Sequence, residues 1–282
     1  MLAIIRNASA ITLLMYFTLS SALAVAATEP DFDIESDLLL LQFDSKTDVD
    51  DLHTIAAVAS VLRLPQFDSI QYHAVAGAYG DQNGLYVPSP ELFKAAFADQ
   101  WSDAHNQYEK TLQHVTSLVS ETLNAGGDVW VVEAGQSNFS ADWVANVAPE
   151  AAKNRVHVIQ HSNWNEEQTN PADLAFVKKQ TDYQKIPDGN AVGNGTPGFK
   201  SNNMPDISRF ITSPELRKVW DIAIEKANYY NGLNGRYDND AISAGGLDFS
   251  DTVELCWILG LPKQMDVESF FLMFSDSKSD AQ

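Results

Sequence analysis

Apolar positions along the chain fall into short continuous runs separated by stretches of helical period. Asp37-Leu-Leu-Leu-Leu-Gln-Phe43 is a run of strand length with almost no polar interruption. That pattern predicts a strand buried on both faces. Between Asp51 and Leu64, Leu52, Ile55, Val58, Ala59 and Leu62 recur at helical spacing, which predicts a helix. Gln71 to Gly77 reads as a second strand ending at glycine. Ser89-Pro90-Glu91 opens a helical region that runs to Asn124, with a break around 99–103 and a stop at Gly126-Gly127. Asp128 to Glu133 predicts a third strand, Ala141 to Val147 a short helix, and Arg155 to Ile159 a fourth strand. Ser213-Pro214-Glu215 starts another helix, and Asp251 to Leu259 is a mostly apolar one. From Ser162 to Asn203 the chain turns polar and rich in Asn, Gly and Pro, predicting a long loop region with a functional role. The alternation predicts an α/β fold: a mostly parallel central sheet with helices on both faces. No internal repeat or linker divides it, and the polar tail begins near Ser275.

The first residues do not follow this pattern. Arg6 precedes a largely apolar stretch from Ile11 to Val25, and Ala24-Val25-Ala26 has the small-x-small form of a signal-peptidase site. Residues 1–27 are therefore expected to be a removed export signal, leaving 28–282 as one domain in a periplasmic or secreted protein. The stretch is too short and too rich in Ala and Ser for a membrane span, and no other apolar run reaches that length.

Charge narrows the partners. The 282 residues carry 18 Lys plus Arg against 38 Asp plus Glu, a formal net charge of −20. Nucleic acid and anionic membrane surfaces are disfavoured, since each phosphate contact wants a basic side chain. Cations are favoured. The single cysteine, Cys256, excludes an intramolecular disulfide and any multi-cysteine metal site. Nothing in the composition bears on association with further copies of the chain, which stays open.

The densest chemistry is Asp44-Ser-Lys-Thr-Asp48-Val-Asp50-Asp51, directly after the first strand. Four carboxylates within eight residues repel one another. In a parallel sheet such a loop lies at the carboxyl edge, where ligands bind. One reading makes the acids helix caps; this accounts for Asp50 or Asp51 but leaves Asp44 and Asp48 unexplained. The other supplies a hard, oxygen-seeking cation such as Ca²⁺. An EF-hand does not fit: counting from Asp44, the sixth position is Val49 and the twelfth Ile55. A phosphate-cradling G-x-x-x-x-G-K-[ST] run and a nucleophile elbow are both missing from the sequence, and the six histidines show no metal-binding spacing.

Strand, Asp44-x-x-x-Asp48-x-Asp50-Asp51, then apolar helix resembles the nucleoside hydrolases, whose loop reads D-x-D-P-G-x-D-D. It resembles still more their relatives, the nucleoside-hydrolase-like sugar-binding proteins with D-x-G-G-D-P-D-D. Val75-Ala76-Gly77 resembles the family's V-A-G-N. Ala134-Gly135-Gln-Ser-Asn138 resembles its G-P-L-T-N loop, and Asp251 stands where the family keeps a late metal-binding aspartate. The resemblance implies a Ca²⁺ site with Asp48, Asp51, Asp251 and the Asn138 main chain as ligands. It also implies Asp50 as binder of sugar hydroxyls and hydrolysis of an N-glycosidic bond in a nucleoside or related riboside.

Two departures stand out. The family's catalytic base position is Lys46, which is already protonated unless its pKa falls far below the ordinary value of about 10; Asp48 is expected to serve instead. The asparagine after V-A-G is Ala78. Gly193-Asn194-Gly195-Thr196-Pro197 with Asn202 resembles the G-N-x-T-P loop, with Lys200 in place of a glutamate. Asp44, Asn163, Asn165, Asn194 and Asn202 complete the candidate substrate contacts, with His161, Trp164, Asn190 and Asn203 beside them. Asn suits sugar hydroxyls, having both donors and acceptors, but is common in turns as well. Because Lys46 and Ala78 both remove groups the hydrolases use, a carbohydrate-binding protein that keeps fold and metal is the alternative expectation.

Overall fold

The six residues Leu38–Phe43 form strand β1 and are buried throughout. Leu39, Leu41 and Phe43 enter one hydrophobic core while Leu38 and Leu40 enter another, which is why the run lacks polar alternation. The structure, a computed structural model, describes residues 30–275. The expected export signal at 1–27 lies outside the described residues.

After β1 come α1 (Asp50–Val61), β2 (Gln71–Ala76), α2 (Pro90–Phe97), β3 (Trp101–Asp103), α3 (Tyr108–Ala125), β4 (Val129–Ala134), α4 (Asn138–Val144), α5 (Pro149–Arg155) and β5 (Val156–Gln160). Then follow α6 (Asn163–Gln168), α7 (Pro171–Gln180), β6 (Asp182–Lys185), β7 (Lys200–Ser201), α8 (Ile207–Phe210) and α9 (Pro214–Tyr230). The described chain ends with α10 (Asp240–Ser243), β8 (Leu247–Asp248), a 3-10 turn at Ser250–Thr252, α11 (Val253–Ile258) and α12 (Val267–Leu272).

The central sheet has six strands in the order β3-β2-β1-β4-β5-β6, all paired in parallel. Helices α1, α2 and α9 cover one face, and α3, α4 and α7 cover the other. The α/β expectation with helices on both faces therefore holds. β7 and β8 form a separate antiparallel pair. No helix among the described residues is long and apolar enough to cross a membrane.

The polar stretch corrects the expectation of one long loop, for it contains α6, α7 and β6. Helix α7 rests on local signals more than on an apolar stripe. Asn170 accepts a hydrogen bond from the Ala172 N–H, Pro171 occupies the first turn, and Lys178 and Lys179 sit at the C-terminus. Only Val177 of this helix is buried. The break expected around 99–103 is the edge strand β3.

Candidate functional site

The order of the sheet reverses at β1, whose neighbours β2 and β4 lead outward in opposite directions. Ligands of such sheets bind beyond the carboxyl ends of the strands at this reversal. Phe43 pairs level with Ala76 and with Ala134, so the acidic loop after β1 and the Gly135 loop after β4 leave the sheet together. Gly135 has φ +144°, and a Cβ there would stand 2.6 Å from Asp44 Cβ. Only glycine lets this backbone lie against Asp44.

Asp44 is buried and held by three donors. Its carboxylate accepts from Gln136 Nε2 at 2.7 Å, Gln82 Nε2 at 3.3 Å and the Lys46 N–H at 2.9 Å. Asp51 lies behind it, with Oδ2 accepting the Ser45 N–H. Its Oδ1 is buried with no hydrogen-bond partner among the described residues. Neither Asp50 nor Asp51 caps α1: the N-cap residue is Val49, with no side-chain cap. The capping reading thus fails at both. Lys46 donates to the Gln82 carbonyl at 2.6 Å and lies 4.1 Å from the centre of the Tyr79 ring.

Across the cavity, Asn239 Nδ2 donates to both oxygens of Asp48 at 3.3 and 3.2 Å and to Asp248 Oδ2 at 2.9 Å. Lys200 bridges Asp248 Oδ2 at 3.4 Å and Asp240 Oδ1 at 2.9 Å. On the third side, His161 Nδ1 lies 2.6 Å from Glu254 Oε1, and Nε2 lies 3.4 Å from Asp251 Oδ1. The open cavity between them has a volume of about 330 Å³. Trp164 and Tyr237 also line it and are exposed by 57% and 53%.

Burial pushes the carboxyls upward. Asp48 rises to about 6, through burial and then the neighbouring Asp248 charge. Asp50, Asp51 and Asp251 rise well above the carboxylate range, first through burial and then through the charges of neighbouring carboxylates, which for Asp251 act against the His161 charge. Asp44 rises for the same first reason, against its hydrogen bonds. Burial lowers Lys46. For His161 burial works against the imidazolium, but the Glu254 charge and hydrogen bond outweigh it and raise the ring to about 9. A set of acids in which protons are retained by mutual repulsion is one a cation stabilises in their place.

Of the candidates from the sequence, Asp44, Asp48, Asp50, Asp251 and Asn165 line the cavity, together with His161, Trp164 and Asn190. Asp51 sits behind its wall. Asn138 does not line it: its side chain donates to Asp173 at 2.8 Å, and its Oδ1 is buried without a partner. Asn163, Asn194 and Asn202 are not brought to the cavity. Asn163 accepts from Lys185 Nζ, Asn194 is tied into its own turn through the Asp188 carbonyl and the Thr196 N–H, and Asn202 is exposed beyond β7. These asparagines do the turn and surface work common for their type. Asn239 and Glu254 carried no sequence signal, being single polar residues far from the acidic loop.

For a cation, the chemistry of the donor set fits: the carboxylates of Asp44, Asp48, Asp50 and Asp251 line the cavity, with an orphaned oxygen on Asp51 behind them. Among the described residues, however, no three acidic, histidine or cysteine side chains are grouped closely enough to hold a metal ion as they stand. Asp44 and Asp51 are each turned toward their own hydrogen-bond donors. The chain matches no family model, no curated protein and no solved structure.

Proposed function

We propose that the protein is an exported, divalent-cation-dependent hydrolase of N-glycosidic bonds in nucleosides or related ribosides, with calcium the ion that the family resemblance implies. The observation that carries this reading is Asp48. It lines the cavity with its pKa raised to about 6, oriented by Asn239 and sharing the lining with the acids Asp50 and Asp251. A general base works best with a pKa near the working pH. Asp48 accepts the proton of the attacking water as its oxygen bonds to the anomeric carbon, and the N-glycosidic bond breaks with its electron pair leaving on the base. Asp50 and Asn165 hold sugar hydroxyls, and Trp164 offers an aromatic face. Asp51 and Asp251 would hold the cation, which would supply positive charge beside the reacting sugar in this acidic pocket.

The experiment is release of free base and sugar from a panel of nucleosides by the wild type and by Asp48→Asn. Turnover in the wild type and its loss in the folded variant support the reading. Equal turnover in both removes Asp48 as the base. A second reading, sugar binding without hydrolysis, is favoured by Lys46 at the family's base position, tethered to the Gln82 carbonyl. Saturable binding with no product over long incubation supports that reading instead.

A further inference from the structure

We propose that His161 is itself a ligand of the cation, paired with Asp251 and fixed from behind by Glu254, so that the site prefers a first-row divalent metal ion to calcium. The inference rests on the divalent-cation reading above and sharpens which ion it takes.

Three observations point the same way. Glu254 is fully buried, and one of its oxygens, Oε1, faces both the His161 main-chain N–H at 3.0 Å and the ring Nδ1 at 2.6 Å. A carboxylate accepts, so Nδ1 carries a hydrogen there and Nε2 is the nitrogen turned to the cavity. Next, Nε2 stands 3.4 Å from Asp251 Oδ1. This is longer than a well-formed N–H···O bond of about 2.9–3.0 Å. It matches the spacing of roughly 3–3.5 Å between two donors that each lie about 2.0–2.2 Å from one tetrahedral or octahedral ion. Finally, Asp51 keeps one buried oxygen, Oδ1, without a partner among the described residues.

A metal-bound histidine that gives its other N–H to a carboxylate is a recurrent arrangement, because the carboxylate fixes the ring and raises its basicity. The ion takes the place of the Nε2 proton. Calcium seeks oxygen donors, whereas imidazole suits zinc, cobalt and their neighbours. The competing account is a purely structural His–Glu pair joining the end of β5 to α11. It predicts a loss of stability on mutation with no change in which ion binds.

The test uses the mature chain stripped with EDTA and titrated with Co²⁺, Zn²⁺ or Ca²⁺ alone. It follows melting temperature and, for Co²⁺, the visible ligand-field absorption. The wild type is expected to bind Co²⁺ with an absorption that changes in His161→Ala. The variant is expected to lose tenfold or more in Co²⁺ affinity while its Ca²⁺ midpoint moves less than threefold. Glu254→Gln, which keeps the packing volume, is expected to cost about 10–100-fold in Co²⁺ affinity and serves if His161→Ala does not fold. Equal Co²⁺ affinity and spectrum across wild type and folded variants overturns the assignment. A calcium response that is indifferent to His161, with no Co²⁺ preference, overturns this inference but leaves the cation reading intact. No response to any ion overturns both.

Discussion

The side-chain amide of Asn239 joins Asp48 to Asp248, its Nδ2 lying 3.2 Å from Asp48 Oδ2 and 2.9 Å from Asp248 Oδ2. One neutral donor thus keeps two carboxylates from opposite ends of the chain in a single arrangement. Its own Oδ1 caps α10 by accepting the Ala241 N–H at 3.2 Å. Asn239→Ala is expected to cost about 1–3 kcal/mol, since a buried donor and a cap disappear together. Asn239→Asp, which adds a third negative charge, is expected to cost more at neutral pH than at pH 5. Urea unfolding at the two pH values checks both. An Asp variant as stable as the wild type at pH 7 sinks the role.

Cation-free protein should lose stability as pH rises. Asp48, Asp50, Asp51 and Asp251 all titrate higher in the fold than in the unfolded chain. The native state therefore binds more protons, and the stability this confers is complete below the ordinary carboxylate range of about 4 and fades as pH climbs through the folded values. For Asp48 that window closes near 6. In EDTA the melting temperature is expected to fall between pH 4.5 and pH 7 (settings of the assay, at about one Asp48 window), and a saturating divalent ion is expected to flatten the slope. A flat profile in EDTA contradicts the crowding of the acids.

Glu133 provides a second, separable pH effect. It is buried on the opposite face of the sheet from α1, where Gln42 Nε2 and Ser140 Oγ donate to its carboxyl at 3.1 and 2.6 Å. Burial raises it to about 8. Its contribution is largest below about 4.3 and declines by about 1.4 kcal/mol per pH unit at most, until the folded group also ionises near 8. Glu133→Gln keeps the shape and removes the titration. The variant is expected to gain on the wild type as pH rises from 5 to 8 in thermal melts (again an assay range of about three units). A constant difference would falsify the assignment.

Gly135→Ala tests the contact between the β4 loop and Asp44. A Cβ at 2.6 Å from Asp44 Cβ, on a backbone at φ +144°, must push one loop away from the other. The expected loss is about 1–3 kcal/mol in stability together with weaker cation binding, because Asp44 moves. Calorimetric titration of the folded variant measures the second effect. Unchanged affinity would show that Asp44 is not coupled to the ion.

Much of the framework was legible because it is driven by burial. The Leu-rich run of β1, the Val-rich run of β4 and the periodic face of α1 are apolar on every side that meets a core. Edge elements were not legible: β3 is only Trp101–Asp103, and β6 is the polar Asp182–Lys185. Helix α7 was hidden by its lack of a stripe, although Asn170-Pro171 and Lys178-Lys179 mark its ends. In the site, the local cluster Asp44, Asp48 and Asp50 was readable because it falls within one short stretch of sequence. Asn239 and Glu254 were not, since they meet those acids only after the sheet is wound. Asn194 and Asn202 were overread because polarity alone does not distinguish a turn from a ligand contact.

The cavity wall joins Asp44, at the end of the first strand, to Asp248 and Asp251 near the finish of the described chain. A chain that emerges from the ribosome delivers these halves at different times. Until the last helices dock, the acidic loop has no opposing wall, so no fragment lacking them should retain ligand. Any ligand held between the two halves would register completion of the fold, acting as a clasp that fastens the late segment onto the early one.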